Sequence, residues 1–245
     1  MQDAMDSVLS QSYDDLEYII VDGASTDGTL ESIQDVTKKY TEKSINFISE
    51  KDDGIYDAMN KGLQLVSGDV VGILNADDFY ADSTVLEKLA SAFADKKVNS
   101  CYGDLIVVDP ENTNKVFRYW RAREFKPEKF YWGWMPPHPT FFVRREVYKQ
   151  YGGFNLELGT AADYELMLRF LVKHRITTNY IPEVLVKMRM GGQSNATLYR
   201  RLVANRMDRK AWTVNGLKPY PWTLWMKPLC KIPQWWQRPK LFTET

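Results

Sequence analysis

Apolar positions fall into two periods along the first three quarters of the chain, and they predict alternating helices and strands. Met5, Val8 and Leu9 are spaced i, i+3, i+4, which predicts a helix over 1–12. Residues 17–21, EYIIV, read as a strand that ends at Asp22-Gly23 and a polar turn holding Ser25, Asp27, Gly28 and Thr29. A helix with Leu30, Ile33 and Tyr40 inward follows, then a short strand at 46–49. After EKDDG, the positions Ile55, Ala58, Met59, Gly62, Leu63 and Val66 form a strongly periodic helix that Gly68 ends. The run at 70–74, VVGIL, lies between Gly68 and the polar group Asn75, Asp77 and Asp78. An apolar run of this length between turn signals reads as a strand buried on both faces.

Further on, a helix is predicted at 83–94, a strand at 100–108, a turn at 109–112 and a return strand at 115–120. The aromatic, proline-rich stretch 125–139 reads as an ordered loop. A strand at 140–143, a helix at 145–151 broken by Gly152-Gly153, a helix opening at Ala161-Ala162-Asp163 and a strand at 181–188 complete the series. Strands alternating with helices imply βαβ units, hence an α/β domain with a mainly parallel sheet flanked by helices.

Two adjacent carboxylates at the end of a buried strand are costly without a partner. A divalent cation supplies one, because hard cations take oxygen ligands and bridge to phosphates. Asp77 and Asp78 are therefore a candidate metal–diphosphate site; the alternative is that they only cap the following helix. Asp163 lies at a helix start, where the dipole favours a carboxylate and where an aspartate also serves as a cap.

The 32 basic and 32 acidic residues balance over the chain, but not along it. Residues 195–245 hold ten Lys/Arg against two Asp/Glu, a net of +8, and five of the eight tryptophans: Trp212, Trp222, Trp225, Trp235 and Trp236. This sets a domain at 1–194 apart from a basic, Trp-rich tail at 195–245. Tryptophan and lysine interleaved with prolines favour an anionic membrane surface over a spanning helix; the alternative is that the tryptophans pack back on the domain. No nucleic-acid partner is expected. Cys101 and Cys230 give neither a disulfide framework nor metal spacing. The N-terminus lacks the apolar segment of a signal peptide, and no apolar run reaches the ~18 residues of a membrane span. A cytoplasmic setting, peripheral at most to the membrane, is the expectation. The sequon at Asn195 is discounted accordingly.

The series VDGASTDGT, EKDDGIYDAMNKG, LNADD and GGFN…AADYELMLR resembles the family 2 glycosyltransferases of the GT-A fold over residues 1–194. Each motif alone is weak; four in order on the expected elements are specific. The resemblance implies inverting transfer of a sugar from a nucleotide-diphosphate donor, with Mn2+ or Mg2+, to a glycan or lipid-linked acceptor in surface polysaccharide synthesis. It places Asp22, Ser25, Asp53, Asn60, Lys61 and Asn75 around the nucleotide, Asp77 and Asp78 on the metal, and Asp163 as general base. Asn75 stands where the family's metal motif has its first Asp, and Ala162 where the catalytic motif has Glu. No His follows the last strand, where many members have a metal ligand. His138 and Trp134 are candidates for the acceptor side, or else structural, while His174 reads as a surface cap. The family's first strand is also absent, since Met1 starts within the helix that should follow it. This leaves a second reading, a nucleotide-sugar-binding remnant with impaired catalysis. A dinucleotide-dependent dehydrogenase is disfavoured because no G-x-G-x-x-G follows any strand.

Overall fold

A computed structural model describes residues 1–191 and 198–237. The expected elements form nearly where the periodicity puts them: α1 (Gln2–Leu9), β1 (Glu17–Asp22), α2 (Thr29–Lys39), β2 (Ser44–Ser49) and α3 (Ile55–Leu65). β3 (Val70–Val71), β4 (Asp78–Tyr80), α4 (Val85–Ala92), β5 (Ser100–Val108) and β6 (Val116–Trp120) follow. The loop 125–139 contains α5 (Pro127–Tyr131), and a 3-10 turn, His138–Thr140, leads into β7 (Phe142–Arg144) and α6 (Arg145–Tyr151). α7 (Ala162–Met167) runs on into a π-helical turn, Leu168–Lys173, before β8 (Thr178–Arg189). The C-terminal part holds α8 (Leu198–Val214), α9 (Thr223–Leu229) and a last 3-10 turn, Ile232–Trp235. The sequon at Asn195, the 194/195 boundary and the final residues 238–245 lie outside the described residues.

The fold is α/β as expected, but the sheet is mixed rather than mainly parallel. β1 and β2 form a parallel pair by themselves. The larger sheet has the order β3-β7-β5-β8-β4, with β6 also on β5, and only its β5–β8 pair is parallel. The physical reason is the connections. A parallel neighbour needs a long crossover, whereas β5 turns straight into β6 through a tight turn. There the Asp109 carboxylate accepts the Glu111 and Asn112 amides at 3.0 and 3.1 Å. Likewise β3 reaches β4 through the turn at Asn75 instead of a helix.

The 70–74 run also departs from its reading. Only Val70–Val71 is strand, and only Val71 is buried. The helix α3 is equally incomplete: its apolar stripe is regular, yet none of its residues is buried. Both elements border a single cavity of about 740 Å³ between β1 and β3. Close-packed interiors hold few voids larger than a water molecule, so this gap is the principal irregularity of the fold.

The largest packed core lies around α7. Tyr164, Leu166, Met167, Leu168, Phe170 and Leu171 are buried there together with Tyr102 of β5 and Phe130 of α5. Ala211 and Trp212 of α8 belong to this core. The expected tail therefore begins as an integral part of the domain, and Trp212 follows the alternative reading of packing back.

Candidate active site

Asp163 sits in the first turn of α7 and is half-buried. Ala161 occupies the N-cap position and no side chain caps this helix, so the capping alternative does not describe Asp163. Its Oδ1 accepts the Tyr164 amide at 2.7 Å. Tyr56, in the first turn of α3, stands near the same carboxylate; burial, then the Asp163 charge, push the phenol pKa up. His138 faces Asp163 from the turn before β7. Burial lowers the His138 pKa, and the Asp163 charge opposes that in part. Phe154 joins them: its ring centroid lies 5.4 Å from Tyr56 and 5.6 Å from His138, edge-on to the imidazole. A carboxylate oriented by a backbone N–H, beside a buried phenol and an imidazole whose pKa burial lowers, suits proton abstraction.

The C-terminal part closes this pocket from another side. Trp212 Nε1 donates to the Tyr164 hydroxyl at 2.9 Å, and Asn215 Nδ2 donates to Glu165 at 2.9 Å. Lys227 Nζ lies 2.5 Å from the buried Asp208 carboxylate and 3.6 Å from the Tyr164 ring centroid. Lys231 stands over the Trp120 ring; burial, then Lys227 and Arg118, lower its pKa, while Asp163 and Asp208 raise it. The main chain of Lys227 passes so near Gly133 (φ +80°) that an added Cβ there would lie 2.5 Å from the Lys227 nitrogen.

The expected nucleotide residues divide. Asp22 is buried at the end of β1 and accepts Ser49 Oγ at 2.6 Å and the Ser25 amide at 3.0 Å. Burial pushes its pKa up, but the Ser25 and Ser49 hydrogen bonds outweigh this and hold it below the usual carboxylate value. Ser25 is half-buried beside it, so these two form one unit. Asp27 accepts Thr29 Oγ1 at 2.6 Å just before α2, but the N-cap of that helix is Gly28 and no side chain caps it. Asp53 is exposed in the next loop and its amide donates to Asp57 at 3.1 Å. Lys61 bonds the Lys51 carbonyl at 2.7 Å and pairs with Glu50 and Asp57 at 3.0 and 3.4 Å. It therefore ties α3 to that loop. Asn60 is engaged within the fold. Its amide donates to the Phe154 carbonyl at 2.9 Å and accepts the Phe154 amide at 2.8 Å.

The Asn75–Asp78 group also separates. Asp77 is exposed, and its carbonyl accepts Arg189 Nη1 at 3.4 Å. Asp78 is 1% exposed, because it is part of β4 opposite Met188. Burial pushes its pKa up to about 7, against the Asn75 amide that donates to its Oδ2 at 2.9 Å. Its Oδ1 is buried without a partner. Neither aspartate caps α4, whose N-cap is Thr84 with no side-chain cap hydrogen bond. Among the described residues no group of three His, Cys, Asp or Glu side chains is close enough to hold a metal. The protein's own donor set is thus Asp77 with the orphaned Asp78 oxygen. That suits a hard cation which takes its other ligands from water and phosphate.

Trp134 packs the loop: its indole donates to the Ala122 carbonyl at 2.8 Å, and its ring meets Tyr102, Phe125 and Phe130. His174 stacks on Tyr151 with ring centroids 3.9 Å apart. The sequence reading missed Tyr56, Asp52 and Lys231. Tyr56 lies one residue off the apolar stripe of α3, which was the available signal. Asp52 fits against Gly23, where an added Cβ would lie 2.5 Å from its carboxylate. Lys231 carried no signal beyond its place in a basic tail.

Residues 1–152 match the glycosyl transferase family 2 profile. The chain is 30% identical over 193 residues to a PGL/p-HBAD biosynthesis glycosyltransferase of Mycobacterium bovis, covering 78% of this chain and 72% of that protein. Among solved structures, it superposes on mannosyltransferase PcManGT from Pyrobaculum calidifontis, in complex with GDP-Man and Mn2+. The TM-score is 0.63, with 19% identity, covering 92% of this chain and 68% of that one. GalNAc-T7 with UDP, GalNAc and Mn2+ gives a TM-score of 0.65 at 12% identity, covering 95% and 54%. The ordered motifs, the fold and these matches agree: the chain belongs to glycosyl transferase family 2, a glycosyltransferase with the GT-A fold.

Proposed function

We propose that this glycosyltransferase moves a sugar from a nucleotide-diphosphate donor to a hydroxyl of a glycan or lipid-linked acceptor, with inversion at the anomeric carbon. The observation that carries the reading is Asp163, oriented by the Tyr164 amide in a pocket shared with Tyr56 and His138. Asp163 takes the acceptor proton as that oxygen attacks. Asp22 and Ser25 hold the nucleotide end, with Asp53 and Lys61 at the rim of the same loops. Asp77 and Asp78 would hold a divalent cation. When bound, such an ion neutralises charge on the departing diphosphate. Solved relatives of this fold carry UDP, GDP-Man or Mn2+, which supports the donor class without choosing the sugar.

A surface on the C-terminal part favours a membrane-bound acceptor. Trp225 and Trp236 are 71% and 75% exposed, and Trp222, Trp235, Leu229 and Ile232 are exposed with them. Trp132 joins from α5, its ring 5.9 Å from Trp222. Exposed apolar patches of this kind mark interaction surfaces, and tryptophan with lysine favours an anionic lipid boundary. No helix among the described residues is long and apolar enough to cross a membrane.

Two measurements test the proposal. A donor panel assayed for released nucleoside diphosphate with Mn2+ should show turnover that Asp77→Ala abolishes; donor binding without release supports the remnant reading instead, which the cavity beside β1 favours. Vesicles of anionic lipid should sediment the protein at low salt and less of it at high salt. Absence of sedimentation at low salt removes the membrane part of the proposal.

A further inference from the structure

Arg118 and Trp120 are two residues apart on β6, so both project from one face of the sheet. The register fixes which face. Arg118 stands opposite Val107 of β5, Val107 beside Met188 of β8, and Met188 opposite Asp78 of β4. Arg118 and Asp78 are thus the two ends of one cross-strand row, three strand spacings or about 14 Å apart along the sheet. Each end holds an orphan: Arg118 Nε and Asp78 Oδ1 are both buried without a partner. Buried polar groups in native folds are almost always satisfied. The carboxylate end suits a hard cation. The guanidinium end needs an anion.

The C-terminal part brings a second cation to the Arg118 end. The turn Ile232–Trp235 packs against β6. Lys231, just before it, is exposed as a residue but turns its ammonium inward, 5.7 Å from the centroid of the Trp120 ring. The guanidinium carbon of Arg118 lies 5.7 Å from the same centroid. Lys227, the third cation nearby, is already neutralised by Asp208 at 2.5 Å. Among the described residues no ion pair forms at Arg118 or Lys231. Burial lowers the Arg118 pKa, and burial, then Lys227 and Arg118, lower that of Lys231. Like charges held together in a poorly solvated place cost free energy until an anion joins them. The Asp163 charge acts on Lys231 in the opposite sense, so the pair lies beside the proposed base.

We propose that Arg118 and Lys231 form a phosphate-binding subsite for the acceptor, holding a phosphate group that the acceptor carries close to its attacking hydroxyl. The assignment to the acceptor rests on Asp163 as the base; the anion site itself does not. Two cations on one ring suit a phosphate better than a single carboxylate. A phosphate monoester carries a charge of about −1.5 to −2 and three acceptor oxygens, which can meet the planar fork of Arg118 and the point charge of Lys231 together. The donor's diphosphate belongs to the other end of the row, where Asp77 and Asp78 need a cation between themselves and any phosphate. Lys231 adjoins the exposed Ile232 and follows α9 with its exposed Trp225 and Leu229. An apolar chain joined to the bound phosphate therefore has a surface to lie on.

Calorimetry on the full chain tests this, without metal so that the Asp77–Asp78 end contributes no cation. The probes are hexyl phosphate, glucose 1-phosphate and, as the uncharged counterpart, hexyl glucoside. At least one phosphate probe is expected to bind about tenfold or more tightly than hexyl glucoside, with a preference that shrinks as salt rises. Stronger binding of hexyl phosphate assigns the phosphate to a lipid-linked acceptor, stronger binding of glucose 1-phosphate to a soluble sugar phosphate. Lys231→Gln, at an exposed position, should keep Tm and lose about tenfold in phosphate affinity; Arg118→Gln should lose as much, and Lys231→Arg should retain most of it. Binding of both phosphate probes no tighter than that of hexyl glucoside, or unchanged phosphate affinity in both Gln variants, overturns the subsite. So does an equal fall in UDP or GDP affinity with Mn2+, which assigns the two cations to the donor. Asp163→Asn should leave phosphate binding unchanged and so separates the two readings. If turnover survives that substitution while phosphate binding follows Arg118 and Lys231, the base assignment fails and the anion site stands. If turnover needs Asp163 but no phosphate binds, the subsite fails and the reaction stands.

Discussion

Trp212 of α8 donates its indole N–H to the Tyr164 hydroxyl of α7 at 2.9 Å, and both side chains are buried. One hydrogen bond thereby fixes the C-terminal part against the helix that carries Asp163. Trp212→Phe removes the donor and leaves a buried hydroxyl unpaired, at an expected cost of about 1–3 kcal/mol. Trp212→Ala adds a cavity and should cost about 3–5 kcal/mol. Urea unfolding of both variants checks the order; equal stability of Trp212→Ala and the parent chain contradicts the packing.

Asn60 uses both ends of its amide on Phe154, whose ring touches Tyr56 and His138. Asn60→Ala is therefore expected to lower stability and turnover while leaving nucleoside diphosphate affinity within about twofold, well under the tenfold that 1.4 kcal/mol would produce. Calorimetric titration with the nucleotide decides: a large loss of affinity with unchanged stability would restore Asn60 to the nucleotide site.

For Asp163, Asp163→Asn keeps the shape and removes the base. Turnover should fall by ~100-fold or more with donor binding nearly intact. Tyr56→Phe removes only the neighbouring hydroxyl and should fall less. If both substitutions weaken donor binding as much as they slow turnover, Asp163 is a donor contact and not the base.

His138 has its pKa lowered, chiefly by burial, so below the ordinary histidine value of about 6.5 the unfolded chain binds a proton that the folded protein resists. Stability due to this group is complete above that pH and is lost as pH falls towards the lowered folded pKa. Tm is expected to drop on going from pH 7 to pH 5, by a smaller amount in His138→Gln. Identical drops in the two proteins would show that other groups account for the acid sensitivity.

Local pattern was enough to determine most elements. The helix α3 follows from one apolar stripe, β5 from nine residues that are all buried, and the order of four motifs was enough for the family. Pattern also isolated Asp163 and Asp77, because carboxylates at element ends are visible against apolar neighbours. Tertiary structure decided the rest. Asp77 and Asp78 are adjacent in sequence, yet one is exposed in the turn before β4 and the other is sealed into that strand opposite Met188. Nothing in the local pattern around Asn60 announces that both ends of its amide meet the Phe154 backbone. Tyr56, His138 and Lys231 come from three distant segments, and only their packing gives them a common carboxylate. Nor does periodicity register whether a strand has both neighbours: 17–21 reads as a strand and 70–74 as a buried one, while the folded chain leaves a gap between them, since pairing is a property of two edges and not of one sequence.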